Sequence, residues 1–317
     1  MTLEARRDAP GDLDVEHRPA ADAPGLRFVD ESQRLFDRGL PNAMTVDVED
    51  YFQVSAFESA VSRDDWDKLE CRIPRNIDVI LERFAEAGVK GTFFTLGWVA
   101  ERYPEQVRRI ADEGHEIASH GLSHRRVGTQ TPQEFQDDVR RARDLLEQVS
   151  GQAVTGYRAA SFSISTASLW AYDELARAGY RYSSSVYPIN HDHYGIPDAP
   201  RFPFRLEASG LLEVPLTTVS IAGRNWPCAG GGYFRLLPLT VSRLAIRRVV
   251  ESEKMPAVFY FHPWELDPQQ PRISGLSAKS RFRHYVNLGR FEQRLTSMLA
   301  EFRWGRMDEI FLKRETR

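Results

Sequence analysis

The stretch Ile117-Ala118-Ser119-His120-Gly121-Leu122-Ser123-His124 carries an apolar run directly into two histidines spaced four residues apart. The run from His115 to Ser119 predicts a β-strand. Two imidazoles at this spacing can converge on one metal ion, either from one face of a helix or from a tight loop that leaves a strand. A strand that ends in a candidate ligand pair predicts a site built at strand ends.

Strand and helix patterns alternate on both sides of this stretch. Strands are predicted at 43–46, 91–96, 115–119, 154–158, 182–186, 212–214, 217–221 and 257–261, with a terminal strand near Ile310. Helices are predicted at 77–88, 104–114, 132–151, 166–178, 239–253 and 291–302, the third behind the capping box Thr131-Pro132-Gln133-Glu134. Repeated strand–helix units predict an α/β fold with a mainly parallel sheet. A closed or nearly closed (β/α) barrel is favoured, and an open doubly wound sheet is the alternative.

Composition limits the classes of function. The chain has 317 residues, 42% of them apolar and 27% charged, as in globular proteins with a sizeable core. Its net charge of −3 argues against a nucleic-acid binder that depends on phosphate contacts. Cys71 and Cys228 are far apart, which argues against a disulfide framework. Because neither a membrane span nor the apolar core of a signal peptide is evident, a cytoplasmic location is expected.

Three regions are predicted along the chain. Residues 1–40 hold nine acidic residues and six arginines, with prolines and glycines that interrupt any periodicity. They are expected to form a disordered or weakly ordered tail, with a short helix possible through Ser32–Arg38. Residues 41–265 are expected to form the catalytic domain, and 266–317 a C-terminal extension packed on it.

Chemically capable side chains follow four of the predicted strands. In parallel α/β folds the carboxyl ends of the strands share one face, where sites are built. The residues concerned are Asp47, Glu49, Asp50, His120, His124, Arg158 and His262. Two imidazoles and one carboxylate suit Zn²⁺ or another borderline divalent metal, and leave room for water and substrate. A second carboxylate as base, an arginine beside it and a histidine as acid complete a set for metal-assisted amide hydrolysis.

Four motifs, in order along residues 43–265, resemble those of the polysaccharide deacetylases of the NodB-homology group, carbohydrate esterase family 4. They are Thr45-Val46-Asp47-Val48-Glu49-Asp50, Ser119-His120-Gly121-Leu122-Ser123-His124, Arg158-Ala159-Ala160-Ser161-Phe162-Ser163 and Phe259-Tyr260-Phe261-His262-Pro263. Three further pieces are similar to a subgroup associated with bacterial exopolysaccharide (exosortase-type) loci: Asp47-Val48-Glu49-Asp50-Tyr51-Phe52, Gly231-Gly232-Tyr233-Phe234-Arg235 and His262-Pro263-Trp264-Glu265.

The resemblance implies a distorted (β/α) barrel and the removal of acetyl groups from an N-acetylated carbohydrate. It further implies Asp47 as general base, Arg158 as the group that orients it, and His262 as general acid. His120 and His124 would be metal ligands, with Zn²⁺ as the expected ion. A backbone N–H near Ser161 or Phe162 would help to hold the oxyanion.

The third metal ligand stays open between two carboxylates. The family's opening motif has two adjacent aspartates, whereas here Val48 and Glu49 separate Asp47 from Asp50. Asp47 and Glu49 point to the same side of a strand, which makes Glu49 a rival. Asp50 is favoured, because the strand is expected to end there and a loop carboxylate can turn back.

Three functions compete. The leading hypothesis is a metal-dependent hydrolase that removes N-acetyl groups from an N-acetylated bacterial polysaccharide or its precursor. The second is an allantoinase-like hydrolase of cyclic amides, some of which dispense with a metal. The third is a non-catalytic relative that binds glycans, against which the combination of Asp47, Arg158 and His262 argues.

Overall fold

The computed structural model describes residues 26–191 and 195–313, which form twelve β-strands and ten α-helices. The strands are β1 Phe28–Asp30, β2 Asn42–Val48, β3 Thr92–Thr95, β4 Glu116–Ser119, β5 Gly156–Tyr157, β6 Tyr182–Ser183, β7 Phe204–Leu206, β8 Leu212–Glu213, β9 Thr218–Ile221, β10 Arg224–Pro227, β11 Val258–Phe261 and β12 Trp304–Gly305. The helices are α1 Ser32–Leu35, α2 Ile73–Ala87, α3 Gly97–Arg102, α4 Pro104–Asp112, α5 Pro132–Ser150, α6 Ala171–Arg177, α7 Gly231–Leu236, α8 Leu239–Arg247, α9 Ala278–Tyr285 and α10 Phe291–Glu301.

One curled sheet organises the molecule. Its strand order is β1-β7-β8-β6-β5-β4-β3-β2-β11, with β12 also paired to β2. Every pair from β11 through β2 to β8 is parallel, while β7 and β1 are antiparallel additions at the far edge. Strands β2 to β6 follow one another around the sheet in chain order, and the late strand β11 joins the early strand β2. This order confirms the distorted (β/α) barrel over the doubly wound alternative, whose strand order reverses at an internal switch point.

Local sequence accounts for the principal helices. In α2, Ile77, Ile80, Leu81 and Phe84 are all buried at helical spacing. The helix ends where Gly88 adopts a φ of 64°, a conformation that glycine reaches without steric cost. The predicted capping box at the start of α5 is present, since the Thr131 hydroxyl accepts from the Glu134 N–H and the Glu134 carboxylate accepts from the Thr131 N–H.

Part of the predicted N-terminal tail lies at the edge of the sheet. Residues 1–25 of that tail lie outside the described part of the chain. Strand β1, however, pairs with β7, and the Phe28 ring packs 5.2 Å from that of Phe204. Leu26 and Leu35 are buried as well, so ordered structure begins by residue 26. The sequence near residue 28 could not show this strand, because β1 forms only by pairing with the distant strand β7.

The C-terminal region also belongs to the sheet. Strand β12 pairs in parallel with β2, which places Trp304 opposite Asn42. The strand predicted near Ile310 is wrong, because Asp308–Leu312 forms a helical turn. Ile310 and Phe311 are both buried there, whereas neighbouring residues of a strand would point to opposite faces.

The carboxyl ends of the parallel strands meet at one edge of the sheet. Strand β2 ends at Val48, β4 at Ser119, β5 at Tyr157 and β11 at Phe261. The residues that follow them therefore lie together, as their positions in the sequence predicted. None of the helices in the described ranges has the length and apolar character needed to cross a bilayer.

Candidate active site

Glu49, His120 and His124 form a buried cluster at the ends of β2 and β4. The Nε2 atom of His124 lies 2.6 Å from Oε2 of Glu49, and Nε2 of His120 lies 4.0 Å from the same oxygen. One ligand atom from each residue can be chosen so that all three lie within 4.8 Å of one another. The three side chains are only 2–3% exposed. Two nitrogens and one oxygen at this separation can hold one divalent metal ion.

The turn after β4 brings the two imidazoles to the same side. Gly121 has a φ of 80°, and a Cβ there would lie 3.0 Å from the Asp138 carboxylate. That carboxylate accepts the N–H of Leu122 at 2.9 Å and so secures the turn to helix α5. His124 itself has a φ of 54°, which is uncommon for a residue with a side chain. This conformation returns its ring to a centroid distance of 5.3 Å from that of His120.

Hydrogen bonding prepares His120 to act as a ligand. Its Nδ1 lies 2.8 Å from the carbonyl oxygen of Arg158, which can only accept, so Nδ1 carries the proton and Nε2 presents its lone pair towards Glu49. Burial lowers the pKa of His120 to about 4, which keeps the ring neutral. Burial tends to raise the pKa of Glu49, but the neighbouring imidazoles of His124, His262 and His120 outweigh it and lower that pKa to about 2.

The donor set fits a metal ion. Within the described ranges, Nδ1 of His124 is buried without a hydrogen-bond partner, and Oε2 of Glu49 lies 2.6 Å from Nε2 of His124 without a hydrogen bond of regular geometry. A buried carboxylate oxygen that lacks a well-formed hydrogen bond is costly unless a cation or a donor satisfies it. A divalent ion between Glu49, His120 and His124 would supply that interaction.

Asp50, the carboxylate favoured from the sequence as third ligand, has a different position and a different partner. Its Oδ2 accepts the backbone N–H of Arg72 at 2.6 Å and of Ile73 at 3.3 Å, and its Oδ1 accepts that of Tyr51. It thereby caps the first turn of α2. Burial raises the pKa of Asp50 to about 6, although these hydrogen bonds act in the opposite direction. The assignment of Asp50 to the cluster is corrected, since strand alternation turns Glu49 to the side of Asp47.

Asp47 and Arg158 form a buried ion pair next to the cluster. The Nη1 atom of Arg158 lies 2.6 Å from Oδ1 of Asp47 and donates also to the Thr45 hydroxyl at 2.8 Å. Its Nε and Nη2 donate to the carbonyl and the hydroxyl of Ser184, and its guanidinium lies 4.0 Å from the Phe94 ring centroid. With four hydrogen bonds and no exposed surface, Arg158 holds one oxygen of Asp47 and leaves Oδ2 directed at His262.

His262 faces both carboxylates from the end of β11. Its Nε2 lies 3.5 Å from Oε1 of Glu49 and 4.0 Å from Oδ2 of Asp47. Its Nδ1 lies 2.6 Å from Oε1 of Glu265. Burial lowers the pKa of His262, but the hydrogen bond that Nδ1 donates to Glu265 and the charges of Glu49, Glu265 and Asp47 outweigh burial and raise it to about 9. His262 is thus suited to carry a proton at neutral pH.

Two residues of this arrangement were missed as functional candidates. Glu265 is fully buried between His262 and Arg235, whose Nε donates to its Oε2 at 3.0 Å. Both residues lie in segments that the sequence singled out, Gly231–Arg235 and His262–Glu265. The signal was the spacing of three residues between His262 and Glu265, which one 3₁₀ turn, Pro263–Leu266, converts into a contact.

The expected oxyanion donors lie in the turn Ala160–Phe162. Ser161 and Phe162 have φ values of 54° and 50°, a strained backbone of the kind found at binding sites. The N–H of Phe162 donates to the carbonyl of Ala159 at 3.0 Å. Of the two, this leaves the N–H of Ser161 as the candidate.

Comparison with known proteins gives two adjacent matches to family models. Residues 62–183 match the family described as polysaccharide deacetylase, and residues 184–312 match a domain of unknown function, DUF3473. The first match contains His120, His124 and Arg158, and the second contains His262. Asp47 and Glu49 precede both.

Curated relatives are similar over limited stretches. The chain is 36% identical over 74 residues to a peptidoglycan-N-acetylglucosamine deacetylase of Bacillus cereus, which is 23% of this chain and 27% of the relative. It is 30% identical over 117 residues to a peptidoglycan deacetylase of Helicobacter pylori, which is 37% of this chain and 38% of the relative. The chain thus spans well under half the length of these relatives.

A solved structure shares the fold over most of both chains. The crystal structure of a putative polysaccharide deacetylase from Mycobacterium smegmatis superposes with a TM-score of 0.54 and 18% identity, over 85% of this chain and 89% of that chain. This similarity confirms the fold.

Proposed function

The chain carries a polysaccharide deacetylase domain of the NodB-homology type, and on this premise we propose that it is a metal-dependent hydrolase that removes acetyl groups from the N-acetylated sugars of a bacterial polysaccharide or its precursor. The observation that carries the proposal is the convergence of the Glu49–His120–His124 cluster with the Asp47–Arg158 pair and with His262. Relatives named as peptidoglycan and chitooligosaccharide deacetylases support N-acetylated carbohydrate as the substrate class.

The proposed ligands are Glu49, His120 and His124, and Zn²⁺ is the ion that this donor set suits best. When bound there, the ion would polarise the acetamide carbonyl and lower the pKa of water. The remaining chemistry is assigned to the chain's own residues.

Hydrolysis adds water across the amide C–N bond, so one group must take a proton and another must give one. Asp47 would accept the proton of the attacking water through Oδ2, while Arg158 holds the other oxygen in place. His262 would donate from Nε2 to the leaving nitrogen as the C–N bond breaks, which yields acetate and the free amine. The 4.0 Å between these two atoms would let Asp47 then return its proton to His262.

The alternatives lack a supporting observation. A glycan-binding protein without activity has no use for a buried carboxylate and a protonated histidine that face each other. A metal-free hydrolase of cyclic amides would leave the gathering of one carboxylate and two imidazoles within 4.8 Å of one another unexplained.

The test is release of acetate from N-acetylglucosamine oligomers by the protein with added Zn²⁺. His120→Ala is expected to lose metal and activity together. Asp47→Asn is expected to retain metal and lose about 10²–10⁴-fold in kcat, the range for general-base catalysis. Asp64→Asn, which removes an exposed carboxylate, is the control and should match the unaltered protein. Full activity after the metal has been removed with a chelator, or full activity of His120→Ala, would contradict the proposal.

A further inference from the structure

A strongly basic segment lies beside the candidate active site. Residues 268–291 contain no aspartate or glutamate and carry five cations, which are Arg272, Lys279, Arg281, Arg283 and Arg290. We call this stretch the basic segment. Its charge of +5 contrasts with the net charge of −3 of the whole chain. Such a segregation of charge predicts an interaction with an anion.

Stacked rings join the basic segment to the proposed general acid. The Trp264 ring lies 5.1 Å from that of His262, with an interplanar angle of 21°. The ring of His284, in helix α9 of the basic segment, also stacks on Trp264, with ring centroids 4.1 Å apart. The last turn of helix α9 is therefore connected to His262 through the single ring of Trp264.

Helix α9 is held firmly in this position. The Arg235 guanidinium, which binds Glu265, also donates to the carbonyl oxygens of His284 at 2.6 Å and Arg283 at 3.0 Å. These are the last carbonyls of the helix, which would otherwise lack partners. One buried arginine thus ties α9 to the carboxylate that holds His262.

The cations of the basic segment are accessible. Arg272, Lys279, Arg281 and Arg283 are exposed, and the guanidinium of Arg272 lies 4.0 Å from the Tyr285 ring centroid, which orients it. Lys279 precedes His284 by five residues, or roughly 8 Å along a helix. Four of the five cations are arginines, whose planar guanidinium suits the two oxygens of a phosphate or a carboxylate.

We propose that the basic segment binds an anionic group, a phosphate or a carboxylate, on the N-acetylated saccharide. Because the rings of Trp264 and His284 connect the basic segment to His262, that anion would lie on a part of the substrate other than the acetamide that is hydrolysed. This inference rests on the proposed function and narrows its substrate class to acidic saccharides.

The experiment compares three substrates of equal length with the metal-loaded protein. One is a neutral N-acetylglucosamine oligomer, the second carries a phosphate monoester, and the third carries a uronic acid unit. The double variant Lys279→Glu/Arg281→Glu reverses two exposed charges in the first turns of α9, where glutamate is compatible with the helix dipole. Arg140→Glu, an exposed cation on α5, is the matched control.

The double variant is expected to raise KM for an acidic substrate about tenfold and to leave kcat and the neutral substrate unchanged. Raised salt should weaken binding of the acidic oligomer to Asp47→Asn, which binds without turnover. A phosphate-specific or a carboxylate-specific response identifies the anion. Equal KM values for all three substrates, or a double variant that behaves like Arg140→Glu, would overturn the inference. Absence of acetate from every substrate would instead reject the proposed function.

Discussion

Glu49 and Asp50 are neighbours in sequence that have separate roles in the structure. Strand β2 ends at Val48, and Glu49 lies on the same side as Asp47, since Nε2 of His262 faces both carboxylates. Asp50 points away and satisfies the first N–H groups of α2. Both carboxylates are buried, so burial alone cannot distinguish a candidate ligand from a helix cap. The two differ in their partners, which are imidazoles for Glu49 and backbone N–H groups for Asp50.

Exchange of each carboxylate for its amide separates these roles. Glu49→Gln is expected to weaken metal binding at least about tenfold, because the amide keeps the shape but loses the charge. Asp50→Asn is expected to keep the metal and lower the free energy of unfolding by about 1 kcal/mol, the typical contribution of a helix cap. Metal content by atomic emission and urea unfolding measure the two effects. Loss of metal from Asp50→Asn with Glu49→Gln unaffected would reverse the assignment.

Glu265 controls the protonation of the proposed acid. Burial disfavours the charged ring of His262, but its hydrogen bond to Glu265 and the charges of Glu49, Glu265 and Asp47 together outweigh burial and raise the pKa of His262 to about 9. Glu265→Gln removes the negative charge and is expected to lower that pKa. Because a general acid acts in its protonated form, activity should then fall off at lower pH than in the unaltered protein.

The pH profile of kcat measures this shift. The exposed exchange Glu70→Gln is the control and should leave the profile unchanged. If Glu265→Gln lowered kcat equally at every pH, Glu265 would have a structural role without control of the proton.

Helix α5 contributes no candidate catalytic residue, but it holds the turn that carries His120 and His124. Its capping box closes the first turn, and its Asp138 accepts the N–H of Leu122 in the turn between the two ligand histidines. The helix thus stabilises the fold and orients His120 and His124 together.

Thr131→Ala is expected to lower the free energy of unfolding by about 1 kcal/mol, because it leaves the N–H of Glu134 without its acceptor. Thr131→Ser keeps the hydroxyl and should differ from the unaltered protein by only a few tenths of a kcal/mol. Denaturant unfolding of the three proteins measures the difference. Equal stability of Thr131→Ala and the unaltered protein would show that solvent replaces the cap.

At the scale of the whole molecule, one sheet unites the two family matches. The boundary between them, at residues 183 and 184, falls directly after β6. The first match contains the candidate ligands His120 and His124, and the second contains His262. The C-terminal segment joins the sheet through β12, which pairs with the start of the strand that carries Asp47. Neither half holds the complete site.

Substitution of Trp304, with Trp226 as control, tests whether the C-terminal segment unfolds together with the rest of the sheet. Trp304 is 8% exposed and packs 5.8 Å from the Phe259 ring of β11, whereas Trp226 is 53% exposed on the β9–β10 hairpin. Trp304→Ala is expected to lower the free energy of unfolding by about 3–5 kcal/mol, with a single transition and unchanged kcat in the folded protein. Trp226→Ala should cost less than about 1 kcal/mol. A separate, early transition in Trp304→Ala would show that the C-terminal segment folds as its own unit.

The sequence by itself determined the alternation of strands and helices, the capping of α2 and α5, and the strand ends at which His120, Arg158 and His262 lie. Periodicity and caps are local, so they can be read without the fold. The structure decided what depends on contacts between distant segments: β1 and β12 in the sheet, the Arg235–Glu265–His262 chain, and the position of Glu49 rather than Asp50 beside the two histidines. That position depends on α2, because the N–H of Arg72 at its start bonds to Asp50 across 22 residues of chain.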